Sequence, residues 1–149
     1  MFAFLRALLQ RLRLKIAGPI AGRSGERSRR GVRSERAAAA HLKRLGHRII
    51  ARNVRTPAGE ADLVTLDADG TVVVVEVRSR VGDDGFTPEA SITPAKQARL
   101  AAVAEHLARR HASRRGTRPA IRIDVVAVQW RSEADKTPDI RHYPGAVRR

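Results

Sequence analysis

Two apolar segments joined by a turn leave this chain little freedom. Leu63-Val64-Thr65-Leu66 runs into Asp67-Ala68-Asp69-Gly70, and Thr71-Val72-Val73-Val74-Val75 runs out of it. The β-branched residues favour extended backbone, and the Asp/Gly cluster marks a hairpin turn. Both faces of the ribbon are apolar. Val64, Leu66, Val72 and Val74 share one, and Leu63, Val73, Val75 and Val77 share the other. A ribbon buried on both sides needs a covering layer on both, so an α/β fold is expected, with a mixed central sheet flanked by helices.

The turn also sets a register. With Ala68-Asp69-Gly70 as a three-residue loop and Gly70 in the left-handed conformation, Asp67 faces Thr71. Counting outward puts Asp62 opposite Glu76 and Glu60 opposite Arg78. Alternation then places all four on one face. Like charges directly across a sheet repel, and two neighbouring carboxylates call for a cation or a shared proton. Carboxylate oxygens with a backbone carbonyl suit Mg²⁺ or Mn²⁺. Equally, Arg78 can neutralise the acids as an ion-pair cluster.

Helical periodicity supplies the cover. A helix is expected from Val32 to Leu45, ended by Gly46, with Ala38, Ala39, Leu42 and Leu45 as its apolar stripe. Glu35 falls on that stripe. It is either a first-turn acid favoured by the helix dipole or a further carboxylate aimed at the sheet. A second helix starts at Thr93-Pro94, with Thr93 as N-cap and a stripe of Lys96, Leu100, Val103 and Leu107. Lys96 either snorkels to water or holds its amine over the acidic end of the sheet. Further strands are expected over His47–Asn53 and Ile121–Trp130, with a short edge strand over Asp139–Pro144. Asp124 interrupts the apolar run of the second of these, so a basic partner is expected. Residues 79–92 form a polar, glycine-containing loop.

The amino-terminal 30 residues read as a separate extension before a domain over 31–149. Phe2, Leu5, Leu8, Leu9, Leu12 and Ile16 recur at helical spacing with arginines between them, which suits an anionic surface better than a bilayer, although an extension that orders only partly is the favoured reading. The arginines also make it a poor signal peptide. A flexible arginine-rich linker follows over 22–31. No transmembrane segment is expected.

Charge narrows the partners. The 149 residues carry 30 Lys+Arg against 15 Asp+Glu, a formal net charge of +15, as expected for a phosphate-binding protein. Arg52, Arg55, Arg80, Arg109 and Arg110 are the candidate contacts to a nucleic-acid backbone. Aromatic residues are too few, at 3%, for base stacking to dominate. The absence of cysteine excludes disulfides and thiolate metal sites and fits a cytoplasmic protein. There is no phosphate-cradling Walker loop, no Gly-x-Ser-x-Gly, no His-Glu-x-x-His and no dinucleotide fingerprint. The five histidines have no metal-ligand spacing and read as structural or surface groups.

Taken in order, Gly31, Glu35, Ala38, Leu42, Gly46, Asn53-Val54-Arg55, Gly59-Glu60-Ala61-Asp62-Leu63, Val75-Glu76-Val77-Arg78-Ser79-Arg80, Lys96 and Ile123-Asp124-Val125-Val126 resemble the bacterial YraN family over about residues 31–143. That family is placed in the PD-(D/E)xK, restriction-endonuclease-like superfamily, near Holliday-junction resolvases. The resemblance implies a mixed sheet flanked by helices and a Mg²⁺- or Mn²⁺-dependent nuclease acting on DNA, with branched or damaged DNA as candidate substrates. It implies that Asp62 and Glu76 are metal carboxylates, that the Val77 carbonyl is a further ligand, and that Glu35 is a helix-borne acid of the site. Glu60 would be a motif acid and Lys96 a family lysine. The superfamily pattern ends in lysine where this chain has Arg78. Arginine stabilises a phosphate but stays protonated, so it cannot help deprotonate water. Three readings follow: a nuclease, a nucleic-acid binder that does not cut, and a membrane-surface or ribosome-associated adaptor working through residues 1–30. Symmetric cutting of two strands would favour a homodimer.

Overall fold

The hairpin turn forms as its residues dictate. In the computed structural model, which describes residues 29–82, 92–110 and 118–147, Gly70 has φ of +91°. The Asp67 N–H donates to the Thr71 carbonyl at 3.0 Å. Asp67 Oδ1 accepts from the Asp69 N–H at 2.9 Å, fixing the loop locally.

Seven elements follow one another: α1 (Arg29–Arg44), β1 (Arg48–Thr56), β2 (Gly59–Leu66), β3 (Val72–Val81), α2 (Pro94–Arg110), β4 (Ile121–Trp130) and β5 (Asp139–Tyr143). The strands form one mixed sheet in the order β1-β2-β3-β4-β5. β1, β2 and β3 are antiparallel neighbours, β3 and β4 run parallel, and β5 is antiparallel to β4. Helix α2 makes the crossover between the parallel pair, as parallel strands require.

The two apolar faces go where alternation sends them. Val64, Val72 and Val74 join Leu100, Val103, Ala104 and Leu107 of α2 in one core. Leu63, Val73 and Val75 join Ala38, Ala39 and Leu42 of α1 in the other. The sheet is thus covered on both sides, and the α/β architecture matches a restriction-endonuclease-like core. No helix among the described residues is long and apolar enough to cross a membrane.

Three boundaries differ from expectation. Helix α1 starts at Arg29 rather than Val32. Its first turns are tied down by contacts distant in sequence: Arg30 Nη1 donates to Glu133 Oε1 at 2.9 Å, and the Arg33 guanidinium lies 3.7 Å over the Trp130 ring. Strand β1 runs on to Thr56, past Asn53. Strand β3 continues to Val81 because β4 pairs with it along its whole length, from Val72–Ile121 to Val81–Trp130. Ser79, Arg80 and Val81 are therefore strand, not loop. Residues 1–28, 83–91, 111–117 and 148–149 lie outside the described residues, and with them the amphipathic extension and most of the expected polar loop.

Candidate functional site

The β2–β3 ladder has the register that the turn predicted: Leu66–Val72, Thr65–Val73, Val64–Val74 and Leu63–Val75. It stops there. The amide of Val77, the next donor that β3 turns toward β2, is taken by a side chain: Val77 N–H donates to Asp62 Oδ2 at 2.7 Å. Asp62 thus sits where the two strands part, with its carboxylate in place of a main-chain partner. The Val77 carbonyl lies on the same side of its strand as the N–H, as strand geometry requires.

Glu76 follows Val72 and Val74 on the α2-facing side and is buried, with 4% of its surface exposed. Helix α2 brings a cation to it. Thr93 Oγ1 accepts from the Lys96 N–H at 3.2 Å and caps the helix. Lys96 lies one turn before the buried Leu100, and its Nζ reaches Glu76 Oε1 at 3.2 Å. Arg78 Nη1 stands 3.8 Å from the same oxygen. Burial, and after it the charge of Asp62, pushes the Glu76 carboxyl up to about 7 against the opposing pull of Lys96 and Arg78. Desolvation therefore outweighs two nearby cations. The carboxyl changes charge near neutral pH, where acid–base and metal-binding groups operate.

Asp62, Glu76 and the Val77 carbonyl make an all-oxygen set. Hard divalent cations take one or two carboxylates and fill the rest of their shell with water and carbonyls, so this set fits Mg²⁺ or Mn²⁺. Among the described residues no three His, Cys, Asp or Glu side chains form a metal-holding group. Glu35 accordingly does not complete a three-acid cluster with Asp62 and Glu76. It lies on α1, whose Ser34 bonds Ser79 Oγ at 2.7 Å and accepts from Trp130 Nε1 at 2.9 Å. That is the sheet face opposite to Lys96.

The expectation that Glu60 shares a face with Asp62, Glu76 and Arg78 is not met. Glu60 pairs with its cross-strand neighbour Arg55 at 3.2 Å and is exposed. The physical reason lies in β2 itself. Ala61 joins the α2-side core and Leu63 the α1-side core, although residues two apart on a regular strand share a face. The pleat changes phase at Asp62, so counting by twos fails beyond it.

The basic candidates are dispersed. Arg52 and Arg80 are exposed on β1 and β3, and Arg55 is engaged by Glu60. Arg109 pairs with Glu105 at 3.7 Å. Arg109 and Arg110 stand in the last turn of α2, roughly 20 Å along its axis from Lys96 at 1.5 Å per residue.

Asp124 has the basic partner expected of it, and more. Arg122 grips it with Nε and Nη2 at 2.8 and 3.0 Å, His142 Nε2 lies 2.8 Å from Oδ2, and the Gly145 N–H donates at 2.9 Å. Burial pushes this carboxyl up, but those bonds outweigh it and hold it down at about 2. His47 packs edge-on against His142 at 5.6 Å and bonds Thr65 Oγ1 at 3.0 Å. Burial lowers its pKa, and so does the neighbouring His142. These histidines are structural, as their spacing suggested.

One buried participant gave no signal in the sequence. Ser34 lies one turn before Ala38 on the covered face of α1, but its hydroxyl is polar and its partners are distant in sequence.

Comparison with known proteins agrees with the resemblance in the motifs. The model of the uncharacterised protein family UPF0102 matches residues 34–128. A UPF0102 protein of Anaeromyxobacter dehalogenans is 40% identical over 131 residues, covering 88% of this chain and 92% of its own length. One from Acidothermus cellulolyticus is 41% identical over 134 residues, covering 85% and 99%. One from Cupriavidus taiwanensis is 44% identical over 103 residues, covering 69% and 76%. With the matched segment running from α1 into β4 and so spanning the acid pair and Lys96, this chain belongs to the uncharacterised family UPF0102, the YraN family.

Proposed function

We propose that this chain is a cytoplasmic, metal-dependent nuclease that hydrolyses phosphodiester bonds in DNA. The observation that carries the reading is the Asp62–Glu76 pair. A buried carboxyl pushed to about 7 beside a second acid, with Lys96 Nζ at 3.2 Å, is an arrangement with a use for a divalent cation. Asp62, Glu76 and the Val77 carbonyl would hold Mg²⁺ or Mn²⁺. Such an ion lowers the pKa of a coordinated water and offsets charge on the phosphate.

The residues around the pair have separable tasks. Lys96 and Arg78 supply positive charge where negative charge develops on the phosphate oxygens. Arg78 stays protonated and so acts only electrostatically. Lys96, whose Nζ stands 3.2 Å from Glu76, would be placed to meet the phosphate if a divalent cation offset the charge of the acids. The exposed arginines hold the nucleic-acid backbone through contacts that weaken with salt. Cutting both strands of a symmetric junction would require a second copy.

The same observation favours a second reading. Two cations already oppose the acids, and Arg78 stands where the superfamily has lysine. A protein that binds DNA without cutting it needs no more than this. Duplex, forked and four-way-junction DNA, together with RNA, incubated with and without Mg²⁺ or Mn²⁺, separate the two. Cleavage that requires metal and disappears in Glu76→Ala supports the nuclease. Salt-sensitive binding that survives Glu76→Ala, with no product at any metal concentration, leaves the silent binder.

A further inference from the structure

Asn53 lies inside β1 with φ of +52°, and no other described non-glycine residue has a positive φ. Left-handed backbone in a strand interior is disfavoured for any residue with a Cβ, least so for asparagine. The position is not incidental. Arg52 pairs with Leu63 and Val54 with Ala61, so Asn53 stands across from Asp62. This is where β2 changes face, sending Leu63 into one core and Ala61 into the other. It is also where β2 leaves β3 and Asp62 takes the Val77 N–H. The irregular backbone of β1 therefore matches the break that releases Asp62 from the ladder.

Backbone alone does not account for asparagine here. Glycine takes positive φ with no Cβ penalty. Asparagine adds a side-chain carbonyl, and its Oδ1 is buried with no hydrogen-bond partner. A buried acceptor without a donor is unfavourable, and such exceptions in a folded chain call for a ligand, a water or an ion. The carbonyl oxygen of asparagine is a normal ligand for hard divalent cations.

We infer that Asn53 belongs to the metal centre, its Oδ1 serving as a neutral oxygen donor to the divalent cation held by Asp62 and Glu76. The inference rests on the proposed function and extends the ligand set onto a third strand. It would draw ligands for one ion from β1, β2 and β3.

The test is Mn²⁺ binding by the intact chain, read from the paramagnetic resonance signal of free Mn²⁺, with circular dichroism recording the fold. Asn53→Gly keeps the left-handed backbone and removes the oxygen, so binding should weaken by about tenfold or more. Asn53→Asp keeps an oxygen at the position and should bind at least as tightly as the parent. Asn53→Gly binding Mn²⁺ like the parent would overturn the inference, and so would a tenfold loss in a folded Asn53→Asp. The control is Glu76→Gln. If Glu76→Gln weakens binding and Asn53→Gly does not, the metal centre stands and Asn53 is outside it. A parent chain that binds no Mn²⁺ removes both.

Discussion

Two buried carboxylates stand one residue apart across the parallel β3–β4 pair, since Glu76 is level with Val125 and Asp124 with Val75. They point to opposite faces of the sheet and live in opposite conditions. Asp124 receives an arginine fork, a histidine and a main-chain amide, and is held at about 2. Glu76 receives the end of Lys96 and a distant Arg78, faces another acid, and rises to about 7. Burial raises both, so the difference lies in the neighbours: hydrogen bonds and the Arg122 charge pull Asp124 down, while the charge of Asp62 pushes Glu76 further up. Where the fold supplies donors, the acid is structural. Where it withholds them, the acid remains available to something else.

The most direct way to break this contrast is Asp124→Ala. It takes the acceptor away from His142 and the Gly145 N–H and leaves Arg122 with Asp67 alone, and should destabilise by about 3 kcal/mol, read by chemical denaturation. A change below about 1 kcal/mol would mean that the network is incidental. Acid titration checks the same group. Its folded pKa lies below the unfolded one, so its stabilisation is present above about pH 4 and fades as pH falls toward 2.

Glu76→Gln should act with the opposite sign. The folded carboxyl titrates near 7 and the free one near 4.5, so the folded chain keeps a proton that the unfolded chain releases between those values. In metal-free buffer the parent should therefore lose stability as pH rises through that window. Glu76→Gln should not, giving it an advantage above pH 7 of up to about 3 kcal/mol. The figure is reduced by whatever Lys96 and Arg78 lose with their acceptor. Thermal melts of both proteins at pH 5 and pH 8 measure it; a constant difference would refute the assignment.

Lys96→Met keeps the stem on the helix and removes the charge. The Glu76 carboxyl should then titrate above 7, which carbon NMR of labelled glutamate can follow. Glu60→Ala, at the exposed pair with Arg55, should change stability by less than about 1 kcal/mol. If Glu60→Ala instead moved the Glu76 titration, Glu60 would have to lie within the acidic site after all.

How far the site was legible follows from the same residues. The register was fixed locally: a loop ending in a left-handed Gly70 puts Leu63 beside Val75, and Asp62 and Glu76 follow. Lys96 was placed by helical periodicity, one turn before Leu100. Asp124 announced itself as a polar residue in an apolar run. Glu60 was misplaced because alternation is a property of regular strands, and the strand is irregular at Asp62. Ser34 was hidden because its partners, Ser79 and Trp130, are 45 and 96 residues away.

By itself the sequence determined a two-faced hairpin, the helices that cover it, and the acid pair at its open end, since turn chemistry and periodicity act between near neighbours. Only the tertiary structure decided that Glu35 and Lys96 approach from opposite faces, that Glu60 turns aside, and that Glu76 is left short of donors while Asp124 is not. Those outcomes depend on which donors converge on a buried oxygen from distant parts of the chain, and no local pattern encodes that convergence.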